Sequence, residues 1–307
     1  MIDYSQCDAM APPGAVIAPP LPDVFPPGRK VAGVAGFLMR HSGLVAGATI
    51  LMAMLLVAIL AGYLGTVDPT ALSPAHRMRS PSEQYWFGTD GLGRDVYSRV
   101  VFGTRVSLIV GFAVALCASV AGLVLGLISG MVRWADGFLM RIVDGIMSIP
   151  PILLAVALMA LTRGSVQNVI IAITVAEAPR VARLIRGVVL SLREQPYVDA
   201  AISAGTRPSM IIVRHIVPNT LAPLIVQATY ICASAMIVEA TLSFIGAGVP
   251  PSTPSWGNMM AEGRTLFQIK PFLVAFPAIF LSITVLAVDL LGDGLRDALD
   301  PRAAKRV

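Results

Sequence analysis

Six stretches of about 20 apolar residues constrain the fold of this 307-residue chain more than any other feature. They cover residues 43–65, 106–130, 142–161, 166–190, 221–247 and 272–291. Only 13% of the residues are charged, which is about half the share of a soluble domain. The runs show no period-two alternation, and lipid satisfies no backbone hydrogen bonds, so helices are favoured over barrel strands. We therefore predict an all-α membrane protein with six transmembrane helices.

Basic residues are unevenly shared between the two sides of the predicted membrane. Six spans place both termini on one side, and that side carries roughly twice as many of the 23 Lys and Arg residues as the other. Cytosolic loops are enriched in these residues. We therefore expect both termini and the loop at 190–219 in the cytosol. The net charge of +5 is explained by these loops, and nucleic-acid binding is not expected because no aromatic residues alternate with the basic ones.

The first 30 residues have a composition unlike the rest of the chain. They contain seven prolines and three aspartates and lack the apolar core of a signal peptide. We predict that residues 1–30 form a disordered cytosolic tail. Residues 31–85 would hold the first span and an external segment, and residues 86–307 would hold the remaining five spans.

The sequence contains no pattern for catalysis or for a bound cofactor. There is no G-x-x-x-x-G-K-[ST] phosphate loop, so this chain is not expected to bind ATP. The three histidines are far apart, no HExxH occurs, and the three cysteines form no CxxC pair, so no metal site is expected. The segment LLGDG at 290–294 has the order Gly-Asp-Gly, unlike the Gly-x-Gly-Asp of an intramembrane aspartyl protease.

Two further segments have a predicted local structure. From Asp95 onward, Val96, Val100 and Val101 lie near one helical face, and Arg99 and Arg105 interrupt the apolar run. This pattern predicts an amphipathic helix at the membrane interface before span two, with a plain loop as the alternative. Within span two, glycines recur every four residues at Gly122, Gly126 and Gly130, which predicts close helix packing.

The stretch YVDAAISAGTRPSMIIVRHIVPN, residues 197–219, predicts a helical hairpin between two apolar spans. Pro196 suits the first turn of a helix, and Gly205 suits a left-handed C-terminal cap. Thr206 can cap a second helix with Pro208 in its first turn, and this helix would end at Pro218. Alanines in the first helix leave a smooth face for another protein. The alternative is a helical loop folded onto the protein's own spans, whereas the apolar second helix is unsuited to reading DNA.

Several motifs together resemble a known transporter family. DAA, three residues, G and then RHIVPN resemble the EAA loop of ABC importer permeases, and LIRGVVLSLREQPYVDAA resembles the same loop in peptide permeases. Three more segments resemble the same family and occur in the order in which the family has them: FGTDGLGRDVYSRVVFGTRVSL, VEATLSFIGAGVPPSTPSWGNMMAEGR and LLGDGLRDALDPR. From about residue 30 onward, the chain resembles the C-type inner-membrane permease subunit of dipeptide and oligopeptide ABC importers.

This resemblance implies a type I ABC importer permease fold, with residues 86–307 as the permease core. It implies four kinds of partner besides the bilayer of a bacterial inner membrane: a second, homologous permease subunit, two ATPase subunits that bind ATP and Mg, and an extracytoplasmic binding protein. The hairpin would be the coupling helix that docks on an ATPase. By the same resemblance, the docking contact would be lined by Asp199, Ala200, Ala201 and Gly205, and the second arm shaped by Arg214, His215 and Pro218. The sequence departs from the family with Asp199 for glutamate, Val217 for leucine and an unusual Arg207-Pro208 turn.

Four carboxylates lie within or near the predicted spans. We expect Asp144 to pair with Arg141 and Glu177 with Arg180, since each pair is one helical turn apart. Glu239 lies deep in span five without a local cation, and it either contacts the translocation pathway or bonds to neighbouring helices. Asp289 is expected at the membrane interface.

The expected function is import of peptides, with ATP hydrolysed by partner chains rather than by this one. Import of nickel or another small solute by the same machine is an alternative. An ion-driven secondary transporter is a second alternative, but spans one to three do not resemble spans four to six as inverted repeats would.

Overall fold

The computed structural model describes residues 42–299, and the regular secondary structure within this range is helical apart from one isolated bridge between Thr89 and Asp95. The predicted tail at 1–30 lies outside the described residues. The α-helices in chain order are α1 (Ser42–Ile59), α2 (Val96–Met131), α3 (Arg133–Met147), α4 (Pro151–Ala160), α5 (Val166–Arg193), α6 (Pro196–Ser203), α7 (Pro208–Ile211), α8 (Val217–Ile245), α9 (Trp256–Gly263) and α10 (Phe272–Leu299). A π-helical turn, Ile212–Ile216, joins α7 to α8.

The predicted count of six continuous spans is not confirmed as such. Within the described residues, four helical segments are long and apolar enough to cross a membrane alone: α1, α2, Pro208–Ile245 and α10. Predicted span three is not one continuous helix: α3 and α4 meet at a bend of 86°, and together they form a broken span or a re-entrant loop. Pro150 is extended and Pro151 begins α4, which fits the exclusion of helical conformation before a proline. Helix α5 is long enough to cross, but its arginines make it more polar than the four.

The helices begin and end at residues with clear capping roles. Asp95 accepts a hydrogen bond from the backbone N–H of Ser98 at 2.8 Å and so caps α2. Ser165 caps α5 in the same way, accepting from the N–H of Asn168 at 3.1 Å. Helix α8 ends at Gly246, whose φ of 89° is readily adopted only by glycine.

Close packing of α2 on α5 forms the centre of the bundle. Gly122, Gly126 and Gly130 of α2 face Val181, Ile185 and Val189 of α5, so the two helices run parallel. A Cβ atom added at Gly126 would lie 2.7 Å from the Cβ of Ile185. The predicted role of these glycines in close packing is confirmed. Helix α8 packs against both α2 and α10, and α10 packs against α1.

A buried charge network joins the segment before α2 to α9. Arg99 donates to Asp90 Oδ2 and to Glu262 Oε2, both at 2.6 Å. Arg94 contacts the same two carboxylates, also at 2.6 Å. Two arginines thus balance two carboxylates, and this satisfies charges that would be costly to bury alone.

The electrostatic consequence is clearest at Asp90, which lies outside the membrane-spanning helices. Burial favours its neutral form, but the backbone N–H of Arg94 and the guanidinium charges of Arg94 and Arg99 lower the pKa of Asp90 below its ordinary value. The Asp90 contacts therefore stabilise the fold at neutral pH and are lost only as the pH falls below about 4.

The interfacial helix predicted from Asp95 onward is not a separate element. Residues from Val96 continue without a break into α2, which has 36 residues. Arg99 is buried in the charge network instead of lying at an interface. Arg105 donates to the backbone carbonyls of Ala58 and Ile59 and thereby satisfies the end of α1. The sequence pattern could not show these partners because they lie far away along the chain.

We expect Gly126→Ala to lower the free energy of unfolding by about 1–3 kcal/mol, because the added methyl group overlaps Ile185 and the carbonyl oxygen of Ala182. Unfolding by SDS in detergent micelles measures this change. Gly145→Ala in α3 is the control, since a Cβ there meets nothing within 4 Å. Equal stability of the two variants would contradict the close packing.

We expect Arg99→Met to destabilise the protein by about 3–5 kcal/mol, because it leaves buried carboxylates short of a counter-charge. The matched control is Arg183→Met. The side chain of Arg183 is 50% exposed and that of its partner Asp144 is 60% exposed. The control is therefore expected to lower the free energy of unfolding by only about 0–1 kcal/mol. The same SDS titration compares both, and a similar small loss for each would show that the network contributes little.

Candidate functional site

The first arm of the loop at 190–219 is a short helix closed by a glycine turn. Gln195 is extended and Pro196 occupies the first position of α6, as predicted. After Ala204, Gly205 has a φ of 75°. The N–H of Gly205 bonds to the carbonyl of Ile202 and the N–H of Thr206 to that of Ala201, at 2.9 and 3.1 Å. This pair of bonds is a Schellman motif, and it confirms the predicted left-handed cap.

The second arm differs from the prediction in two ways. Arg207, not Thr206, is the N-cap residue of α7, and its side chain makes no capping hydrogen bond. The helix also does not end at Pro218. It passes through the π-helical turn Ile212–Ile216 into α8. Proline is tolerated here because the first turn of α8 would leave that N–H unpaired in any case. The second arm is therefore the beginning of a long transmembrane helix.

Buried apolar contacts hold both arms against the bundle. Val198 of α6, Ile211 of α7 and Ile216 of the π-helical turn all belong to the main hydrophobic core. At the end of α5, Arg193 donates a hydrogen bond of 2.7 Å to the carbonyl of Gly130 at the end of α2. The hairpin thus has a fixed place at the ends of α2, α5 and α8, which we call the hairpin end of the bundle.

The residues predicted to line a docking contact are mostly on the outer surface of the hairpin. Asp199, Ala200 and Gly205 are exposed, and Ala201 is half-buried against the core. A side chain at Gly205 would meet nothing within 4 Å in this chain. The available space is therefore open to a partner protein.

The predicted second-arm residues divide in a similar way. Arg214 and Pro218 are exposed. His215 is half-buried, with its ring centroid 6.0 Å from that of Tyr197 in α6. His215 therefore packs between the two arms, and its backbone carbonyl accepts a hydrogen bond of 2.6 Å from the Asn219 amide.

The structure also shows exposed apolar side chains on the hairpin that sequence reasoning missed. Ile202, Met210 and Val213 are 57%, 53% and 67% exposed, and we call these three residues the apolar patch. Exposed large apolar side chains outside the lipid are candidates for contact with a partner protein. A possible sequence signal was their position in a loop predicted to be cytosolic, where no lipid would cover them. Which faces of the short helices remain uncovered could be seen only in the folded chain.

The carboxylates of the spans have mixed outcomes. Glu177 bonds to Arg180 at 2.8 Å, as predicted. The expected pair of Asp144 with Arg141 is wrong, because Asp144 bonds to Arg183 of α5. The bend between α3 and α4 turns α3 across α5, and a partner from another helix replaces the local one.

Glu239 and Asp289 occupy contrasting environments. Glu239 is fully buried and accepts a hydrogen bond of 2.9 Å from Ser243, while its Oε2 has no partner among the described residues. Its contact with a pathway stays a prediction. Asp289 lies ten residues before the end of α10 at Leu299, and its position at the membrane interface stays a prediction. It lines a pocket of about 420 Å³ together with Glu177 and Arg180.

We expect Gly205→Val to accelerate amide hydrogen exchange in residues 197–204, because a β-branched residue at a φ of 75° is strained and would open the turn. Hydrogen–deuterium exchange read by mass spectrometry measures this. Gly205→Asn is the matched control, since asparagine tolerates the left-handed region. Equal protection in both variants would show that the turn does not depend on glycine.

The geometry can be compared with known proteins. Residues 122–305 match the family model described as "Binding-protein-dependent transport system inner membrane component". The chain is 50% identical to the "Probable peptide ABC transporter permease protein y4tQ" of Sinorhizobium fredii over 267 residues, which are 87% of this chain and 91% of the relative. It is 39% identical to the "Dipeptide transport system permease protein DppC" of Alkalihalophilus pseudofirmus, over 92% of this chain and 95% of the relative.

A third relative and a solved structure agree with this assignment. Identity to the "Glutathione transport system permease protein GsiD" of Salmonella typhimurium is 42%, over 87% of this chain and 88% of the relative. A chain of the inward-facing MetNI methionine ABC transporter superposes with a TM-score of 0.54 at 24% identity, over 66% of this chain and 96% of that chain. The structural likeness establishes the fold alone. Together with the family match and the relatives, it shows that this chain belongs to the family of binding-protein-dependent transport system inner membrane components.

Proposed function

We propose that this chain is a permease subunit that forms the path of an ATP-driven peptide importer together with a second, homologous permease subunit. Two separate ATPase subunits would bind ATP and Mg, and an extracytoplasmic binding protein would deliver the peptide. The chain would lie in the inner membrane of a bacterium with both termini in the cytosol. The observation that carries the proposal is the hairpin, which presents an apolar patch on a membrane protein of this family.

Peptides are proposed as the cargo because relatives over most of the chain are named for peptide, dipeptide and glutathione transport. Another small solute, such as nickel, is the alternative, since the hairpin carries no information about cargo. ATP hydrolysis is assigned to the partners because the sequence contains no phosphate-binding loop.

The hairpin contacts explain how docking could move the path. The second arm is continuous with α8, and Val198 and Ile216 anchor the two arms in the core. A displacement imposed on the hairpin would therefore be carried directly into α8. Arg193 ties the end of α5 to the end of α2, so these helices would follow. Closure of the ATPases would bias such a two-state arrangement of helices between inward and outward openings.

The function is tested by reconstituting this chain with its partner subunits in proteoliposomes and measuring uptake of a radiolabelled dipeptide. Uptake is expected to require ATP and the binding protein, because in this proposal separate subunits hydrolyse ATP and a separate protein delivers the peptide. Uptake driven by an ion gradient without ATP would favour the secondary transporter. ATP-dependent uptake of nickel but not of peptides would favour the alternative cargo.

We expect Val213→Glu to reduce co-purification of the ATPase by about tenfold or more, because a carboxylate in the apolar patch would be desolvated without a counter-charge. Quantitative affinity purification of the whole complex measures this loss. Ile269→Glu is the matched control: Ile269 is 72% exposed and lies at the end opposite the hairpin. If the Val213→Glu complex kept its ATPase, the apolar patch would not be part of the docking contact.

A further inference from the structure

A pocket of about 420 Å³ opens on the bundle between α4, α5, α8 and α10. Its lining combines the charged residues Glu177, Arg180 and Asp289 with the polar residues Tyr230 and Ser234. The coupling hairpin does not contribute to it. No role has yet been given to this pocket.

The pocket lies between the apolar stretches of the bundle, toward the hairpin end. Glu177 is the twelfth residue of α5, and Asp289 is the eighteenth residue of α10; both helices have 28 residues. At 1.5 Å per residue, Glu177 lies roughly 16 Å from the start of α5, and Asp289 about 15 Å from the end of α10. Both helices start at the end of the bundle opposite the hairpin. Glu177 therefore lies in the middle of the apolar stretch 166–190, and Asp289 lies two residues before the end of the apolar stretch 272–291, on the side of the hairpin.

The three charges are not equally satisfied. Glu177 has a side chain only 2% exposed and bonds to Arg180 at 2.8 Å, and Ser234 lies 3.5 Å from its other oxygen. The guanidinium of Arg180 is 47% exposed and can donate five N–H groups, of which one bonds to Glu177. Asp289 has no hydrogen bond or ion pair with any residue between 42 and 299. The pocket thus offers one unpartnered carboxylate and one incompletely satisfied cation.

Lipid does not account for this surface. Charged side chains within a membrane span are costly in hydrocarbon and face a water-filled cavity or another protein group. On the same helix, Leu286 is 54% exposed and apolar, as expected for a lipid-facing residue. Leu286 and Asp289 are three residues apart and so lie one turn from each other on the same side of α10. Comparing Leu286 with a residue of the pocket therefore tests whether water reaches the pocket beside a lipid-facing position.

We propose that this pocket binds the peptide during its passage, with Asp289 receiving the ammonium group of the peptide and Arg180 its carboxylate. A peptide with free termini carries both charges, and each matches the group that the pocket leaves unsatisfied. The volume of about 420 Å³ is within the range of small-molecule sites. This assignment rests on the proposed function as a peptide importer, and it names the residues that contact the cargo.

The test uses cysteine accessibility in the complete transporter, reconstituted in proteoliposomes. The native cysteines Cys7, Cys117 and Cys232 are replaced by serine, and Ser234→Cys and Leu286→Cys are introduced separately. Ser234 lines the pocket, and its replacement leaves Asp289 and Arg180 in place. A thiol reacts with a cationic methanethiosulfonate only as the thiolate, which forms in water and not in lipid. We expect Ser234→Cys to be labelled roughly tenfold or more faster than Leu286→Cys, and excess dipeptide with binding protein and ATP to slow that labelling.

Two outcomes would overturn the proposal. Labelling of Ser234→Cys as slow as that of Leu286→Cys would mean that lipid or a helix of the second permease covers the pocket. Fast labelling that dipeptide does not slow would mean a water-filled cleft without contact to the cargo. Dipeptide uptake by the cysteine-free parent, measured in parallel, separates these results from a failure of the proposed function, which would abolish uptake itself.

A second measurement separates cargo contact from a structural role. Asp289→Asn is expected to lower dipeptide uptake by roughly tenfold, because the charged partner of the ammonium group is lost. ATPase activity stimulated by the loaded binding protein should persist. Asp297→Asn, on the exposed surface of the same helix, is the control and should leave uptake unchanged. Unchanged uptake in Asp289→Asn, or a parallel loss of ATPase activity, would contradict a role in binding the peptide.

Discussion

The close contact between α2 and α5 determines where the functional parts of this permease lie. Glycine at 122, 126 and 130 removes the side chains that would separate the two helices, and valine and isoleucine of α5 occupy the space. In a membrane the lipid chains are as apolar as the side chains, so helices associate through such close packing more than through the hydrophobic effect. Because the two helices are parallel, the end of α5 and the hairpin that follows it lie beside the end of α2.

Charge is arranged differently at three levels of the bundle. At the end opposite the hairpin, Arg94 and Arg99 are fully compensated by Asp90 and Glu262, and this network connects α2 with α9. Nearer the hairpin, Arg183 pairs with Asp144, and the side chains are 50% and 60% exposed. In the pocket between α4, α5, α8 and α10, Asp289 is left without a partner among the described residues. An uncompensated charge within a span points to a binding role more than to a structural one.

The hairpin joins the docking surface to the transmembrane helices without a flexible connection. Its glycine turn at Gly205 sets the angle between the two arms, and the π-helical turn leads the second arm into α8. Its buried residues belong to the main core, whereas its exposed residues include the apolar Ile202, Met210 and Val213 beside charged ones such as Asp199 and Arg214. A partner that binds the hairpin would therefore act on α8 through covalent continuity and on α2 and α5 through packing.

The sequence by itself determined the helical membrane class, the family motifs and the cap at Gly205, because apolar length, residue order and a positive φ are local properties. The glycine spacing of α2 and the pair of Glu177 with Arg180 were predictable for the same reason. Only the tertiary structure decided the bend between α3 and α4, the pairing of Asp144 with Arg183 and the continuation of the second arm into α8. It also decided that Arg99 is buried, that Ile202, Met210 and Val213 are exposed, and that Asp289 faces a pocket. These features depend on which helices meet. Asp90 and Glu262, the two carboxylates that share Arg94 and Arg99, are 172 positions apart in the chain and come together only when the bundle has formed.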